Sequence, residues 1–281
     1  MGDKGPESHM GRSDSTFIAI GGGGQTEDTL DALFAPLEKV RDPRVAVMTV
    51  ASNTENGMTS VYNSMFRKRG VKHVSIVNVS TRDDAFDKPS LKKIENADLI
   101  YFTGGDQLNV TSLFGGSPLH ELLWKRVKEG VAIGGTSAGA AMMSTTMVNG
   151  GESDTGPKKG AVEIAPGLDL IENTIIDTHF SERGRYGRLL TAVAHYPQIL
   201  GIGLDESTGI VVKGNKFRVV GAGSVIVIDG GSMSYADLVY RRDGKPIGMV
   251  DVTLHALCAG FSFDLKTRTV TAPRNSTSAA G

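Results

Sequence analysis

The sequence has 281 residues, a formal net charge of −1 and an apolar fraction of 40%. A chain of this length forms one large α/β domain or two small ones, and its apolar content is ample for a buried core. The near-neutral charge argues against nucleic acid or an anionic membrane surface as the main partner. Because no run of about 18 apolar residues occurs, no segment is expected to span a membrane.

Both ends of the chain are predicted to lie outside the folded domain. Residues 1–15, with a second methionine at Met10, are typical of a disordered expression leader, and residues 273–281 are typical of a disordered tail. No linker interrupts residues 16–272, so a single α/β domain is expected there. The single cysteine, Cys258, fits a reducing compartment. A cytoplasmic location is therefore expected, and an exported form stays open because the native N-terminus is hidden by the leader.

The predicted elements alternate between strand and helix as far as residue 140. The β-rich runs lie at residues 16–20, 44–50, 73–79, 98–102 and 131–133. The helical segments begin or lie at residues 26–28, 58–68, 90–96, 108–114 and 119–128. Strands separated by helices of this length predict right-handed crossovers and a mostly parallel sheet.

Four glycines, Gly21–Gly24, follow the first strand and invite comparison with a dinucleotide-binding loop. Their spacing is not G-x-G-x-x-G, and no acidic residue clearly ends the second strand. A glycine-rich loop at the carboxyl end of a parallel strand borders the ligand crevice whatever the ligand is. No nucleotide cofactor is therefore predicted.

The pattern changes after residue 150. Residues 150–160 are polar and glycine-rich, as in a surface loop, and an apolar strand follows at 170–176. Beyond about residue 199 the strands are short and are separated by turn signals at 213–215 and 229–231. The sequence therefore predicts a β-rich C-terminal part.

The stretch Gly134–Ala140 is the motif that points most directly to chemistry. It follows an apolar strand and matches G-x-S-x-G, with Gly135 and Gly139 on either side of Ser137. A strand-turn-helix elbow exposes the serine Oγ at a helix N-terminus, where backbone N–H groups point at a developing oxyanion. It needs glycines because the strand and the helix pass too close for side chains. Ser137 is predicted to be a nucleophile, and the alternative is a tight turn with a capping serine.

A nucleophilic serine needs a base, and His179 is the best placed of the six histidines. It follows the strand at 170–176, so it is expected at the carboxyl end of a strand, on the edge of the sheet that carries the serine. The cationic segment 182–188 comes directly after it. The alternative is a capping histidine before a solvated basic helix.

A base works best when a carboxylate fixes its tautomer. The apolar run 201–204 ends in two acids, Asp205 and Glu206, again at a carboxyl end. Adjacent residues of a strand point in opposite directions, so only one of the two can reach the imidazole. Glu206 is predicted to do so, with Asp205 as the rival.

Four separated motifs resemble the serine peptidase family that contains the cyanophycinases and the α-aspartyl dipeptidases (dipeptidase E). In chain order they are the runs Phe102–Gln107, Gly135–Ala140, Asp177–Arg188 and Gly201–Glu206. The likeness extends from about Phe17 to Asp229. It implies a flavodoxin-like three-layer α/β sandwich of the class I glutamine amidotransferase-like group.

The resemblance also implies roles for individual residues. Ser137 would be the nucleophile, His179 the general base and Glu206 the acid that orients it. The backbone N–H groups of Gly105 and Ala138 would form the oxyanion hole. The implied substrate-binding residues are Asp106, Gln107, Asp177, Thr178, Arg183, Arg185 and Arg188.

The implied substrate is cyanophycin, a polyaspartate that carries arginine on each β-carboxyl group. The arginines at 183, 185 and 188 would bind its carboxylates, while Asp177 and Glu182 would face its guanidinium groups. Some cyanophycinases have glutamine where Thr178 stands here, so the peptide bond that is cleaved is less defined than the acyl-enzyme mechanism.

The expected function is hydrolysis of cyanophycin to β-Asp-Arg dipeptides by a serine exopeptidase, without metal or cofactor. Two alternatives stay open. One is an α-aspartyl or isoaspartyl dipeptidase, which would need a closed pocket for short peptides. The other is a catalytically silent binding protein of amidotransferase-like fold. The resemblance also leads us to expect a homodimer.

Overall fold

A computed structural model describes residues 15–49, 55–107 and 110–273. The predicted leader, apart from Ser15, and the predicted tail, apart from Pro273, lie outside these residues. Ser15 corrects the leader boundary, because it is fully buried. Its hydroxyl oxygen lies 2.6 Å from the carbonyl oxygen of Val127 and 3.0 Å from that of Val131. Ser15 therefore belongs to the folded domain.

The regular elements of the described residues run throughout the chain. The strands are β1 (Thr16–Ile20), β2 (Arg44–Met48), β3 (His73–Val77), β4 (Leu99–Phe102), β5 (Ala132–Thr136), β6 (Ser144–Gly151), β7 (Val162–Pro166), β8 (Ile171–Thr178), β9 (Leu200–Leu204), β10 (Thr208–Lys213), β11 (Lys216–Gly221), β12 (Val225–Asp229), β13 (Tyr235–Ala236), β14 (Met249–Val250), β15 (Thr253–Leu257), β16 (Ser262–Asp264) and β17 (Thr269–Thr271). The α-helices are α1 (Glu27–Phe34), α2 (Glu55–Lys68), α3 (Lys88–Glu95), α4 (Pro118–Lys128), α5 (Ala138–Ala141) and α6 (Tyr186–His195). The helix predicted at 108–114 is a π-helical turn, Val110–Phe114, and its first two predicted residues lie outside the described part.

The described strands form two large sheets and one small ribbon. The larger sheet has nine strands in the order β17-β16-β11-β10-β1-β5-β4-β2-β3. Strands β1 to β5 are parallel, and the other four strands of this sheet run antiparallel to their neighbours. The second sheet has six strands in the order β15-β12-β9-β8-β6-β7, and β13 pairs with β14.

The core follows from strands that are apolar on both faces, as central parallel strands are. In β4, Ile100 and Phe102 pack into the main cluster, which also includes Ile176 and Ile202 of the second sheet. The alternate residues Leu99 and Tyr101 face the cluster formed with helices α1 and α2. Helix α6 covers the other face of the second sheet through Leu189 and Val193.

The α/β class and the additional C-terminal β structure are confirmed. The larger sheet is mixed, because β10, β11, β16 and β17 extend the parallel half with antiparallel hairpins. Hairpins join antiparallel neighbours through short turns, whereas each parallel neighbour needs a crossover. None of the helices in the described part is both long and apolar enough to cross a bilayer.

Candidate active site

Ser137 occupies a strained elbow between β5 and α5. Its φ of 52° and ψ of −119° lie in a region that non-glycine residues rarely adopt. The conformation is held because the Ser137 N–H donates to the Ile20 carbonyl at 2.9 Å, and its carbonyl accepts from Ala140 and Ala141 at 2.9 Å each. The strain is thus maintained by contacts on both sides of the turn.

The glycines of the motif are required by close packing. A Cβ on Gly135 would lie 2.2 Å from the Gly139 carbonyl oxygen, and one on Gly139 would lie 2.4 Å from the Phe102 carbonyl oxygen. Neither distance is compatible with a side chain. The strand and the helix therefore approach as the sequence predicts for a nucleophile elbow.

Ser137, His179 and Glu206 form one chain of hydrogen bonds. The Ser137 Oγ lies 2.9 Å from His179 Nε2, and His179 Nδ1 lies 2.6 Å from Glu206 Oε1. When Nδ1 carries the proton and donates to the carboxylate, Nε2 is free to accept the serine proton. This is the arrangement that makes a serine nucleophilic in a hydrolase.

The topology explains why the histidine and the glutamate meet. Strands β8 and β9 are parallel neighbours, and Thr178 lies opposite Leu204 at their carboxyl ends. The next residues of the two strands, His179 and Asp205–Glu206, therefore emerge side by side. Ser137 reaches them from the other sheet, where β5 lies beside β1.

Asp205 does not contact the imidazole. It is buried, and its Oδ1 and Oδ2 accept the N–H groups of Ser181 and Ser224, each at 3.0 Å. Its carboxylate thus serves the main chain of neighbouring segments. The structure brings Glu206, and not its rival, to His179; the role of either acid in catalysis stays a prediction.

The loop Gly21–Gly24 packs against the His179–Glu206 pair. The His179 N–H donates to the Gly21 carbonyl and the Ser207 N–H donates to the Gly22 carbonyl, both at 2.9 Å. A Cβ on Gly22 would lie 2.3 Å from His179 Cε1, and one on Gly23 would lie 2.7 Å from Glu206 Oε2. The sequence places this loop at the crevice, but it carries no signal for these contacts, because the partner residues are far away along the chain.

Replacing Gly22 by alanine is expected to slow the reaction of Ser137 by about 100-fold, because the new methyl group must displace the imidazole. The matched control is Gly70→Ala. Gly22 and Gly70 both have positive φ, +103° and +86°, but a Cβ on Gly70 would meet nothing within 4 Å. The rate of Ser137 labelling by a fluorophosphonate measures the effect. Equal labelling of the two variants would contradict it.

A cavity of about 350 Å³ opens beside Ser137. It is lined by Gly105, Asp106, Gln107, Ser137, Asn149, Thr178, His179, Arg183, Arg185 and Arg188. Gly105 has a φ of 143°, and Ala138 is the first residue of α5, where helix N–H groups lack internal partners. Their assignment to an oxyanion hole stays a prediction.

Three polar residues predicted to bind substrate, Asp106, Gln107 and Thr178, line this cavity. The amide nitrogen of Gln107 donates to the Val148 carbonyl, so part of its hydrogen-bonding capacity is used within the protein. Asn149 also lines the cavity and was not predicted. It lies in β6 where the register shifts between Val148 and Gly150, and such irregularities redirect side chains without a clear sequence signal.

The structure corrects the assignment of Asp177. This residue is only 2% exposed and does not line the cavity. Its carboxylate accepts from Arg188 Nε at 2.7 Å and from Arg185 Nη1 at 3.2 Å. A buried carboxylate that is ion-paired with neighbouring guanidinium groups has no free oxygen with which to bind a ligand. Asp177 therefore holds two arginines and does not face a substrate guanidinium group.

The three arginines differ in their surroundings. Arg188 is 6% exposed and ion-paired, while Arg183 is exposed at the cavity. Arg185 also donates to the Thr178 carbonyl. Burial lowers the pKa of the Arg185 guanidinium, and the neighbouring Arg188 and Arg183 lower it further against the opposing effect of Asp177. Glu182, predicted to face guanidinium groups, accepts the N–H of Glu206 at 3.1 Å.

An α/β fold with a serine on a strained elbow, hydrogen-bonded through histidine to a carboxylate, defines the class of serine hydrolases. Comparison with known sequences identifies the family within this class. The sequence profile of Peptidase family S51 matches residues 17–220, which is well over half of the chain. The chain belongs to Peptidase family S51.

Several relatives of this chain carry the name cyanophycinase. The chain is 37% identical over 228 residues to a cyanophycinase of Geminocystis herdmanii, covering 80% of this chain and 84% of the relative. It is 34% identical over 231 residues to a cyanophycinase of Synechococcus elongatus, covering 82% of this chain and 72% of the relative.

Solved structures share the fold. A peptidase from an acI-B1 actinobacterium superposes with a TM-score of 0.66 at 19% identity, over 90% of this chain and 98% of the other. A putative peptidase E from Listeria monocytogenes superposes with a TM-score of 0.53 at 15% identity, over 74% of this chain and 99% of the other.

Proposed function

We propose that this peptidase hydrolyses cyanophycin to β-Asp-Arg dipeptides through an acyl-enzyme on Ser137. The observation that carries the proposal is the hydrogen-bonded chain from Ser137 through His179 to Glu206, at 2.9 and 2.6 Å. The names of the relatives supply the substrate, because each cyanophycinase is identical at more than a third of the aligned positions.

The mechanism uses each group once in each half of the reaction. Ser137 Oγ attacks the carbonyl carbon of a peptide bond at an aspartyl residue while its proton passes to His179 Nε2. The resulting oxyanion would accept hydrogen bonds from the N–H groups of Gly105 and Ala138. His179 then gives its proton to the leaving amine, and the C–N bond breaks. A water molecule repeats the sequence on the ester and releases the acid, with Ser137 regaining its proton.

Glu206 would support both halves by accepting the Nδ1 proton. The carboxylate fixes the tautomer that leaves Nε2 able to accept, and its charge stabilises the imidazolium that forms. The elbow strain at Ser137 would keep Oγ exposed throughout the cycle.

The charges at the cavity support a substrate that carries carboxylates. Among the described residues, Arg183, Arg185 and Arg188 line it together with one acid, Asp106. Planar guanidinium groups bind carboxylates with two parallel hydrogen bonds. Arg183 is the most accessible of the three, since the other two are tied to Asp177. Each β-Asp-Arg unit presents such carboxylates.

The first test is incubation of the purified protein with cyanophycin, with release of dipeptides followed by chromatography. The wild-type protein is expected to release β-Asp-Arg, and Ser137→Ala is expected to lower kcat by at least about 10,000-fold because no acyl-enzyme can form. Release by Ser137→Ala at the wild-type rate would remove the nucleophile assignment. Release of dipeptide only from short aspartyl peptides would favour the α-aspartyl or isoaspartyl dipeptidase instead.

A silent binding protein of the same fold is the remaining alternative. The distance of 2.9 Å between Ser137 Oγ and His179 Nε2 favours a working nucleophile over a misaligned one. A fluorophosphonate that fails to label Ser137 in the folded protein would favour the binding protein.

We further propose that the enzyme is a homodimer and acts in the cytoplasm. The family resemblance supports the dimer, and the single cysteine supports a reducing compartment. Light scattering is expected to give about twice the chain mass of 29.7 kDa. Fractionation of the native host, with an antibody to the protein, tests the compartment and the exported alternative.

A further inference from the structure

Two acids outside the Ser137–His179–Glu206 chain bind the main chain around it in a reciprocal way. Asp205 follows β9 and accepts the N–H of Ser181, in the segment after His179, at 3.0 Å. Glu182 lies in that segment and accepts the N–H of Glu206 at 3.1 Å. Each acid thus holds the backbone of the other segment. We call Glu182 and Asp205 the carboxylate clasp.

Asp205 also binds a third segment. Its Oδ2 accepts the Ser224 N–H at 3.0 Å, and its own N–H donates to the Ser224 carbonyl at 3.2 Å. The side chain is buried, so both carboxylate oxygens are used in surroundings with little water. Charge-assisted hydrogen bonds of this kind are stronger than those between neutral groups. Loss of either bond would leave a main-chain N–H without its partner.

The clasp acts where the sheet no longer fixes the chain. The ladder between β8 and β9 ends at Thr178 and Leu204, one residue before His179. His179 and Ser207 both have positive φ, 50° and 56°, so the two segments turn away from the strands here. Besides the clasp, the Phe180 N–H bonds to the Leu204 carbonyl at 3.1 Å. The loop Gly21–Gly24 also binds both segments, through the N–H groups of His179 and Ser207 at 2.9 Å each. The relative position of the two segments therefore depends on these contacts and on the clasp, and no longer on the β-ladder.

We propose that the clasp sets the separation between His179 Nδ1 and Glu206 Oε1, and that Asp205 and Glu182 are positioning residues of the hydrolase. This inference rests on the proposed function. It gives roles to two acids that the catalytic steps do not use. It also replaces the prediction that Glu182 faces a substrate guanidinium group, since a clasp needs an acceptor oxygen and a substrate contact needs a negative charge.

A substitution of Glu182 by glutamine distinguishes a role as hydrogen-bond acceptor in the clasp from a role as negative charge for the substrate. Glu182→Gln keeps an oxygen that can accept the Glu206 N–H and removes the charge, whereas Glu182→Ala removes both. Asp205→Asn keeps the shape but turns an amide N–H₂ toward one of the two backbone donors. Asp264→Asn is the matched control, because the Asp264 carboxylate also accepts two N–H groups, from Lys266 at 3.0 Å and Thr267 at 2.9 Å, in the turn between β16 and β17.

The readouts are the rate of fluorophosphonate labelling at Ser137, the split between kcat and KM on cyanophycin, and the downfield NMR resonance of the His179 Nδ1 proton. Asp205→Asn and Glu182→Ala are expected to label about 10- to 100-fold more slowly, with a similar loss of kcat and a KM within about 2-fold. Their Nδ1 resonance is expected to move upfield or broaden. Glu182→Gln and Asp264→Asn are expected to stay within about 3-fold of the wild-type rate.

The outcomes that overturn the clasp are distinct. Wild-type labelling and an unmoved Nδ1 resonance in both Asp205→Asn and Glu182→Ala would show that the clasp positions nothing. If Glu182→Gln reacted as slowly as Glu182→Ala, or if Glu182→Ala raised only KM, Glu182 would instead bind a positively charged group of the substrate. Because Glu182 is exposed, its variants test the clasp even if Asp205→Asn fails to fold. A wild-type protein that is not labelled would instead contradict the proposed function, and the resonance would still report on the clasp.

Discussion

Replacing Glu206 by glutamine is expected to lower kcat on cyanophycin by about 100- to 10,000-fold. Glutamine has nearly the same shape, but it carries no charge to stabilise the imidazolium. If its N–H₂ group faces Nδ1, the imidazole must take the other tautomer, in which Nε2 carries a proton and cannot accept one from Ser137. The Glu206 side chain is 37% exposed, so water screens its interaction with the imidazolium. The loss of kcat is therefore expected in the lower part of this range of about 100- to 10,000-fold.

The measurement is steady-state hydrolysis of cyanophycin, with Glu152→Gln as the control. Glu152 is an exposed glutamate that pairs with Lys158 at 3.0 Å, and its variant is expected to keep the wild-type kcat. The kcat of Asp205→Asn is expected to fall between those of Glu206→Gln and Glu152→Gln, since this substitution changes the position of the Ser137–His179–Glu206 chain and not its charge. Activity of Glu206→Gln within a few-fold of the wild type, with Asp205→Asn far lower, would reverse the roles of the two acids.

The fold is predictable from the sequence wherever the signal is local. The strand at 98–102 and the helix at 119–128 are each found within a residue of the predicted limits, as Leu99–Phe102 and Pro118–Lys128. Apolar periodicity and capping residues define such elements without knowledge of their neighbours. The pairing of strands is not local. Nothing in the sequence near β6 or β8 indicates that these strands form a second sheet with β9 and β12 and do not join the larger sheet.

In the candidate site, too, features with a local sequence signal can be predicted and contacts between distant residues cannot. The sequence correctly places Ser137 and His179 each at the carboxyl end of a strand, but the expectation that they share one edge of one sheet is wrong, because β5 and β8 belong to different sheets. Successive residues of a strand point in opposite directions, so the sequence indicates that only one of Asp205 and Glu206 reaches the imidazole, but this alternation does not say which. The partner of a charged side chain is a different matter, because every charge nearby competes for it. The cluster of arginines after residue 182 suggests a site for anions, but it does not reveal that Asp177 already occupies two of them.

Replacing Asp177 by alanine is expected to lower the free energy of unfolding by about 3–5 kcal/mol, which is about 6–20 °C in Tm. Asp177 is 2% exposed, and its carboxylate accepts from both Arg185 and Arg188, the second of which is 6% exposed. Removal of the acid leaves two guanidinium groups close together in a region with little water. That cost is much greater than the value of an exposed ion pair.

The matched control is Asp31→Ala, which removes an exposed partner of Arg69 and is expected to cost at most about 1 kcal/mol. Thermal and urea unfolding measure both variants. In Asp177→Ala, adding Arg188→Met is expected to recover part of the lost stability, because a buried pair can be replaced by apolar side chains of similar volume. If Asp177→Ala were no less stable than Asp31→Ala, the arginines would have to reach water or a bound anion instead. They would then be available to substrate, and the cavity would hold three free cations where the structure pairs two of them with Asp177.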